Sequence, residues 1–131
     1  MRARIKLTAR PYNHKSSYIV LLQPREIRAM DTDTAAQRLA ALGNPTRLSL
    51  FRLLVRAGTE GMNIGDIQHH LGVPASTLAH HLRALAEAGV VEQQKRGREV
   101  ITSANYEAMN GLVAYLTEQC CDGLAEVKAS A

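Results

Sequence analysis

The sequence contains no tryptophan and one phenylalanine, and aromatic residues make up 4% of it. Platforms that stack successive bases of single-stranded nucleic acid are built from such rings, so that mode of binding is not expected. Cysteine is nearly as scarce: Cys120 and Cys121 are the whole complement, and they are adjacent. No disulfide framework can be drawn from them, and a reducing cytoplasm is the expected location. No apolar run approaches a membrane span, and residues 18–22 are too short even for the core of a signal peptide. A phosphate-cradling glycine loop, a paired-carboxylate cleft and a cysteine–histidine pair with an orienting acid are all missing, so no enzyme is expected. What is present is a hydrophobic content of 46% in 131 residues, enough for one folded domain with a modest core. Small helical domains of this size often complete such a core by dimerising.

The net charge of +4 is unevenly spread. Residues 1–29 carry seven basic residues against one acidic, Glu26, and the remainder is slightly acidic. Within that remainder, eight basic residues lie between positions 38 and 98, among only four acids. Most other acids gather toward the ends, at Asp31, Asp33, Glu107, Glu118, Asp122 and Glu126. A locally basic middle is what a surface for DNA phosphates requires.

That middle holds the most informative stretch, residues 63–98. Ile64, Ile67 and Leu71 fall at i, i+3 and i+7 and mark one face of a helix. Gly72-Val73-Pro74 stops it, and Pro74 or Ser76 lies near the cap of a second helix with the stripe Leu78, Leu82, Leu85. Gly89 marks the end of that helix. Two helices joined by a tight, glycine-containing turn form the helix-turn-helix pattern, whose second helix enters the major groove of DNA. Residues 90–95, 96–98 and 99–102 then read as strand, turn and strand, a hairpin wing with a basic tip. The expected fold is therefore mainly α with a small β-hairpin, a dimeric winged helix-turn-helix. Ser76, Thr77, His80 and Arg83 lie opposite the leucines and should face the groove, since hydroxyls and arginine contact phosphates and base edges. Gln68 on the first helix and Lys95, Arg96 and Arg98 on the wing complete the expected DNA-binding set, with double-stranded operator DNA as partner. The pairs His69-His70 and His80-His81 point about 100° apart on a helix and lack the i, i+4 spacing of a helical zinc site. His80 is expected to contact DNA, and His81, beside the leucines, to pack or hydrogen-bond.

Around this motif the chain divides simply. Residues 1–29 show no sustained period, contain Pro11 and Pro24, and are expected to be a basic, disordered extension ahead of a functional start at Met30. From Thr32 the pattern is helical: Asp31 or Thr32 caps, Ala35, Leu39, Ala40 and Leu42 form a stripe, and Gly43 ends it. Asn44-Pro45 restarts a helix, asparagine as N-cap and proline at the first helical position. Leu48, Leu50, Phe51, Leu53, Leu54 and Val55 make this helix apolar over most of its surface, which places it centrally. After the wing, Asn105 opens a last helix running from 106 to about 122. Tyr106, Met109, Val113, Leu116 and Cys120 follow one another at spacings of 3 and 4, a seam suited to pairing with another helix. The first and last helices are the expected interface of a homodimer, which sets two recognition helices roughly 34 Å apart on a pseudo-palindromic site. The domain thus spans 30–123 and is followed by a tail at 124–131. Cys120 continues the seam and Cys121 is rotated off it, while Glu118 and Asp122 should raise both thiol pKa values and disfavour ready oxidation. Neighbouring thiolates at a fraying helix end can converge on one soft atom. The blander alternative makes Cys120 a small buried hydrophobe and Cys121 incidental.

Residues 34–123 resemble the ArsR-type (ArsR/SmtB) family of dimeric winged-helix repressors. Ala41-Leu42-Gly43-Asn44-Pro45-Thr46-Arg47-Leu48 resembles the start of its second helix, and Ser76-Thr77-Leu78-Ala79-His80-His81-Leu82 its recognition helix. The ending Tyr115-Leu116-Thr117-Glu118-Gln119-Cys120-Cys121 is similar to arsenic-responsive members with vicinal cysteines in the last helix. The resemblance implies an operator-bound dimer that leaves DNA when an inducer is captured, derepressing detoxification genes. It also implies what this chain does not sense. Cadmium or lead sensors of the family carry a cysteine pair in the helix corresponding to residues 63–71, and none occurs here. Zinc sensors use Asp, His and Glu ligands on the last helix, and no histidine follows His81. Arsenite sensors of similar ending use a third cysteine. Inorganic arsenic(III) prefers three sulfurs, whereas a methyl or aryl arsenic(III) has one position filled by carbon and needs two. The implied inducers are therefore methylarsenite and phenylarsenite, with arsenite and antimonite weaker, bound by Cys120 and Cys121 and with no constitutive cofactor. An alternative is the same repressor fold responding to thiol redox state, or to no small molecule.

Overall fold

The computed structural model describes residues 30–124. The expectations for the extension at 1–29, and for the tail beyond Leu124, lie outside these residues. Within them the chain is a winged helix-turn-helix, mostly helical with one small antiparallel sheet.

Helix α1 (Thr32–Leu42) starts where Asp31 accepts the Thr34 backbone N–H at 2.6 Å, a bond that also lowers the Asp31 carboxyl pKa. Its inner face differs from the expected stripe. Ala35 and Ala41 are buried, while Leu39 and Ala40 point outward. The inward slot between the two alanines belongs to Arg38, whose guanidinium donates to the Ala108 carbonyl at 3.4 Å. An arginine in a core-facing position hides the true period. Helix α2 (Pro45–Ala57) has the expected Asn44 cap, with Oδ1 accepting the Arg47 N–H at 3.1 Å. Leu50, Phe51 and Leu54 are buried and the helix is packed by α1 and the later elements, so it is central as expected.

Strand β1 (Met62–Asn63) was not expected. Two residues carry no readable period, and the strand exists only by pairing Met62 with Thr102 and Asn63 with Ile101. The approach is close: at Gly61, φ is +69° and a Cβ would lie 2.5 Å from the Thr102 carbonyl oxygen, which only glycine avoids. Helix α3 (Ile64–Leu71) and helix α4 (Ala75–Glu87) form the helix-turn-helix, separated by a turn in which Gly72 takes a left-handed conformation. Pro74 occupies the N-cap position of α4 with no side-chain cap, so Ser76 belongs to the first turn. The far end closes as a Schellman motif. Gly89, at φ +77°, donates to the Ala86 carbonyl at 3.0 Å and Val90 to that of Leu85 at 3.1 Å.

Strands β2 (Val91–Arg96) and β3 (Glu99–Ala104) make the wing, in sheet order β1-β3-β2. Pairing of Arg96 with Glu99 leaves a two-residue loop whose first member, Gly97, has the positive φ of a type II′ turn. Helix α5 (Tyr106–Thr117) is joined to the end of α4 through Asn105. That side chain caps α5 by accepting the Ala108 N–H and donates to the Gly89 carbonyl, both at 3.0 Å. The Tyr106 hydroxyl donates to the Val55 carbonyl on α2 at 3.0 Å. Leu50, Leu54, Ile67, Leu78, Leu85 and Val90 are fully buried at the centre, each stabilising the fold by about 1.5–3 kcal/mol.

The expected reach of α5 to residue 122 is corrected, for it stops at Thr117. The Thr117 hydroxyl bonds back to the Val113 carbonyl at 2.8 Å. Continuation would set Glu118 and Asp122 at the negative end of the helix dipole. The seam divides accordingly: Tyr106 and Met109 pack against the core, Val113 and Leu116 are exposed, and Cys120 lies off the helix.

Candidate nucleic-acid interface and thiol site

On α4 the buried leucines at 78, 82 and 85 leave Ser76, His80 and Arg83 exposed at i, i+4 and i+7, with Thr77 partly buried beside them. One helix therefore carries a core face and a polar face, and the polar face holds donors suited to phosphate and base edges. Gln68 is partly buried near the end of α3, and its carbonyl accepts the Gly72 N–H that closes the turn. Lys95, Arg96 and Arg98 are all exposed on the wing. They do not share one surface, because neighbours along a strand point to opposite faces. Lys95 stands across from Val100, whereas Arg96 stands across from Glu99 and donates to the Gln94 side chain at 3.5 Å. Arg98 sits in the loop itself.

His81 lies on the core side of α4, and its Nδ1 is buried with no hydrogen-bond partner among the described residues. It packs, as expected, without the hydrogen bond that was the other possibility for that atom. Burial, then the nearby Arg47 and His80, lower its pKa below the ordinary histidine value. The adjacent rings of His69 and His70, and of His80 and His81, are inclined by 76° and 57°.

The two thiols sit beyond α5 in a run of tight turns. Cys120 N–H donates to the Thr117 carbonyl at 3.1 Å and Asp122 N–H to that of Gln119 at 3.2 Å. Gln119 and Cys121 have φ of +55° and +67°, in the left-handed region that side chains seldom adopt. Both cysteines are free and exposed, so the alternative in which Cys120 is a small buried hydrophobe is not met. Their Sγ atoms are 3.2 Å apart and share a hydrogen bond. That bond, ahead of burial, raises the Cys120 pKa. The direction is the expected one, but the cause is the second thiol and not the carboxylates of Glu118 and Asp122.

Leu39 on α1 and Val113 and Leu116 on α5 are 42%, 57% and 57% exposed, apolar side chains that no described residue covers. The two helices are tied together by a 2.6 Å hydrogen bond between the Thr32 and Tyr115 hydroxyls. No helix among the described residues is long and apolar enough to cross a membrane.

Comparison with known proteins agrees with this geometry. A family model described as a helix-turn-helix domain matches residues 42–94. The chain is 38% identical over 65 residues to an uncharacterized HTH-type transcriptional regulator of Methanocaldococcus jannaschii, covering 50% of this chain and 71% of that one. It is also similar to the solved structure of an ArsR-like transcriptional regulator from Rhodococcus sp. RHA1, with TM-score 0.58 and 30% identity, covering 64% of this chain and 76% of that one. A crystal structure of a possible transcriptional regulator for arsenical resistance aligns with TM-score 0.54 and 29% identity, over 61% of this chain and 80% of that one. All three relatives carry the name of transcriptional regulators, one of them as a possible one.

Proposed function

This chain belongs to the ArsR-like family of helix-turn-helix transcriptional regulators, and from that premise we propose that it is a homodimeric repressor released from its operator by trivalent arsenicals captured at Cys120 and Cys121. Organoarsenicals are favoured over arsenite. The observation that carries this reading is the pair of free, exposed thiols with sulfurs 3.2 Å apart. Two thiolates at about 2.3 Å from one centre, the zinc–sulfur length, stand roughly 3.3 Å apart when the angle between the bonds is near 90°. At the tetrahedral angle of a zinc site they stand about 3.8 Å apart. Thiols already 3.2 Å apart can close on a single centre with little side-chain movement. Methylarsenite, with two hydroxyls on arsenic, forms two As–S bonds and loses two As–O bonds. The two thiol protons leave with the hydroxides as two waters, and no electrons are transferred. Arsenite treated the same way keeps one hydroxyl and lacks the third sulfur it prefers.

The exposed Leu39, Val113 and Leu116 support a dimer across α1 and α5. On this reading the thiols lie just beyond an interface helix, and capture acts by favouring a dimer arrangement that no longer matches the operator. The test is release of purified protein from its own promoter DNA by methylarsenite, phenylarsenite, arsenite, zinc and peroxide in parallel. Cys120→Ser and Cys121→Ser should bind the operator normally and ignore arsenicals, and methylarsenite should release wild type at lower concentration than arsenite. An undiminished response in the double serine variant removes the arsenical reading. Release by peroxide alone replaces it with thiol-redox control.

A further inference from the structure

A groove of about 310 Å³ lies between the start of α2 and the turn of the helix-turn-helix, lined by Pro45, Thr46, Ser49, His70, Leu71 and Val73. None of these residues was assigned to DNA from the sequence. We propose that Thr46, Ser49 and His70 hold a backbone phosphate of the DNA strand that passes the beginning of α4. Three observations support this. The lining offers two hydroxyls and an imidazole on an apolar floor and contains no carboxylate, a donor set for an anionic oxygen. Ser49 and His70 are exposed, so the groove is reachable by a partner as large as a duplex. Most decisively, the groove is continuous with the expected DNA surface, because Val73 stands two positions before the first residue of α4. With the first turn of α4 in the major groove, the sugar–phosphate strand bordering that groove runs alongside the helix start. The Asn44 side chain already accepts from the Arg47 amide of α2, so that amide is not on offer to the phosphate.

The proposal deepens the DNA-binding part of the proposed function and does not depend on the inducer. Its test is phosphate-ethylation interference with duplex affinity, on wild type and on a Ser49→Ala/His70→Gln double variant. Loss of contacts of this kind should weaken operator and unrelated duplex alike, by roughly five- to tenfold, with sequence preference unchanged. One phosphate in each half-site whose ethylation hinders wild type should cease to matter to the variant. A Ser49→Asp variant, which faces the phosphate with a carboxylate, should weaken all duplexes further at an unchanged melting midpoint. Unaltered affinity, or an ethylation pattern identical to wild type, overturns the groove contact and leaves the helix-turn-helix reading standing. Failure of wild type to bind any duplex overturns both.

Discussion

Helices α4 and α5 are nearly the same length, 13 and 12 residues, and they finish in opposite ways. The first buries Leu78, Leu82 and Leu85 against its own chain and ends in a fully bonded Schellman motif. The second buries Ala108 and Leu112, turns Val113 and Leu116 to solvent, and gives way to turns carrying two strained left-handed residues. One helix is complete among the described residues; the other has an apolar face that none of them covers. The contrast separates two jobs. On the proposed reading, a surface that reads DNA is held rigid by its own core, whereas a surface that would transmit a signal between copies leaves its contacts to be made and remade.

The sharpest way to break this contrast is to truncate one leucine from each helix. Leu85→Ala removes a fully buried side chain and should destabilise the protomer by about 2–5 kcal/mol, independent of protein concentration. Leu116→Ala should cost far less by chemical denaturation at high dilution and more as concentration rises, if its partner is the second copy proposed above. Equal, concentration-independent losses would mean that the α5 face is covered within the chain. A Val113→Asp/Leu116→Asp variant, read by sedimentation, should be a folded monomer. Its operator affinity should fall by about 10²-fold or more through loss of two-site binding. A variant that stays dimeric moves the interface elsewhere.

Within the DNA-reading half the contrast becomes finer. Arg83 is exposed on α4 and Arg98 in the loop of the wing. Arg83→Ala should weaken operator binding by about 1–3 kcal/mol and blur sequence preference if it reads a base. Arg98→Ala should weaken every duplex and flatten the dependence of affinity on salt by about one counterion. An Arg98→Ala variant with altered preference and an unchanged salt slope would assign the wing to base reading.

The parts of this molecule that could be read in the sequence are those with local causes. Asn44-Pro45, the turn at Gly72 and the end at Gly89 each act within a few residues, so α2, α3 and α4 emerged with nearly correct limits. What escaped depends on distant partners. Strand β1 is defined by Thr102 and Ile101 some forty positions away. The inward place of Arg38 on α1 rests on the distant Ala108 carbonyl of α5, which accepts from its guanidinium, although its buried Nε finds no partner among the described residues. The end of α5 was missed because the 3-and-4 spacing runs on through Cys120, while the Thr117 back-bond and the acids beyond it favour turns. Of the candidate site, the exposed residues of α4 and the wing were legible from periodicity. The division of Lys95 and Arg96 between two faces follows from strand register, and the groove at Thr46, Ser49 and His70 from the packing of α2 on α3.

The smallest expected effect tests how rigidly the inner side of α4 is held, and it concerns His81. The ring lies on the core side, its Nδ1 is buried without a partner, and Arg47 stands nearby with its Nε donating to the Ala41 carbonyl at 2.6 Å. Protonation there would place a cation in a buried position beside a guanidinium, and so the folded pKa lies below the value of about 6.5 that the unfolded chain shows. The sign follows directly. At a pH between the folded and unfolded values the unfolded state binds a proton that the native state declines, so stability rises with pH through that window. The contribution is complete above about pH 6.5 and is lost as pH falls through the folded value. Asp31, whose carboxyl pKa is also lowered, acts only further into acid, below the ordinary carboxylate value of about 3.9. Urea midpoints measured from pH 7.5 to 5 should therefore decline for wild type and decline less for His81→Gln. Parallel curves across that range would show that His81 accepts its proton without strain, and that the inner side of α4 is as yielding as the outer face of α5.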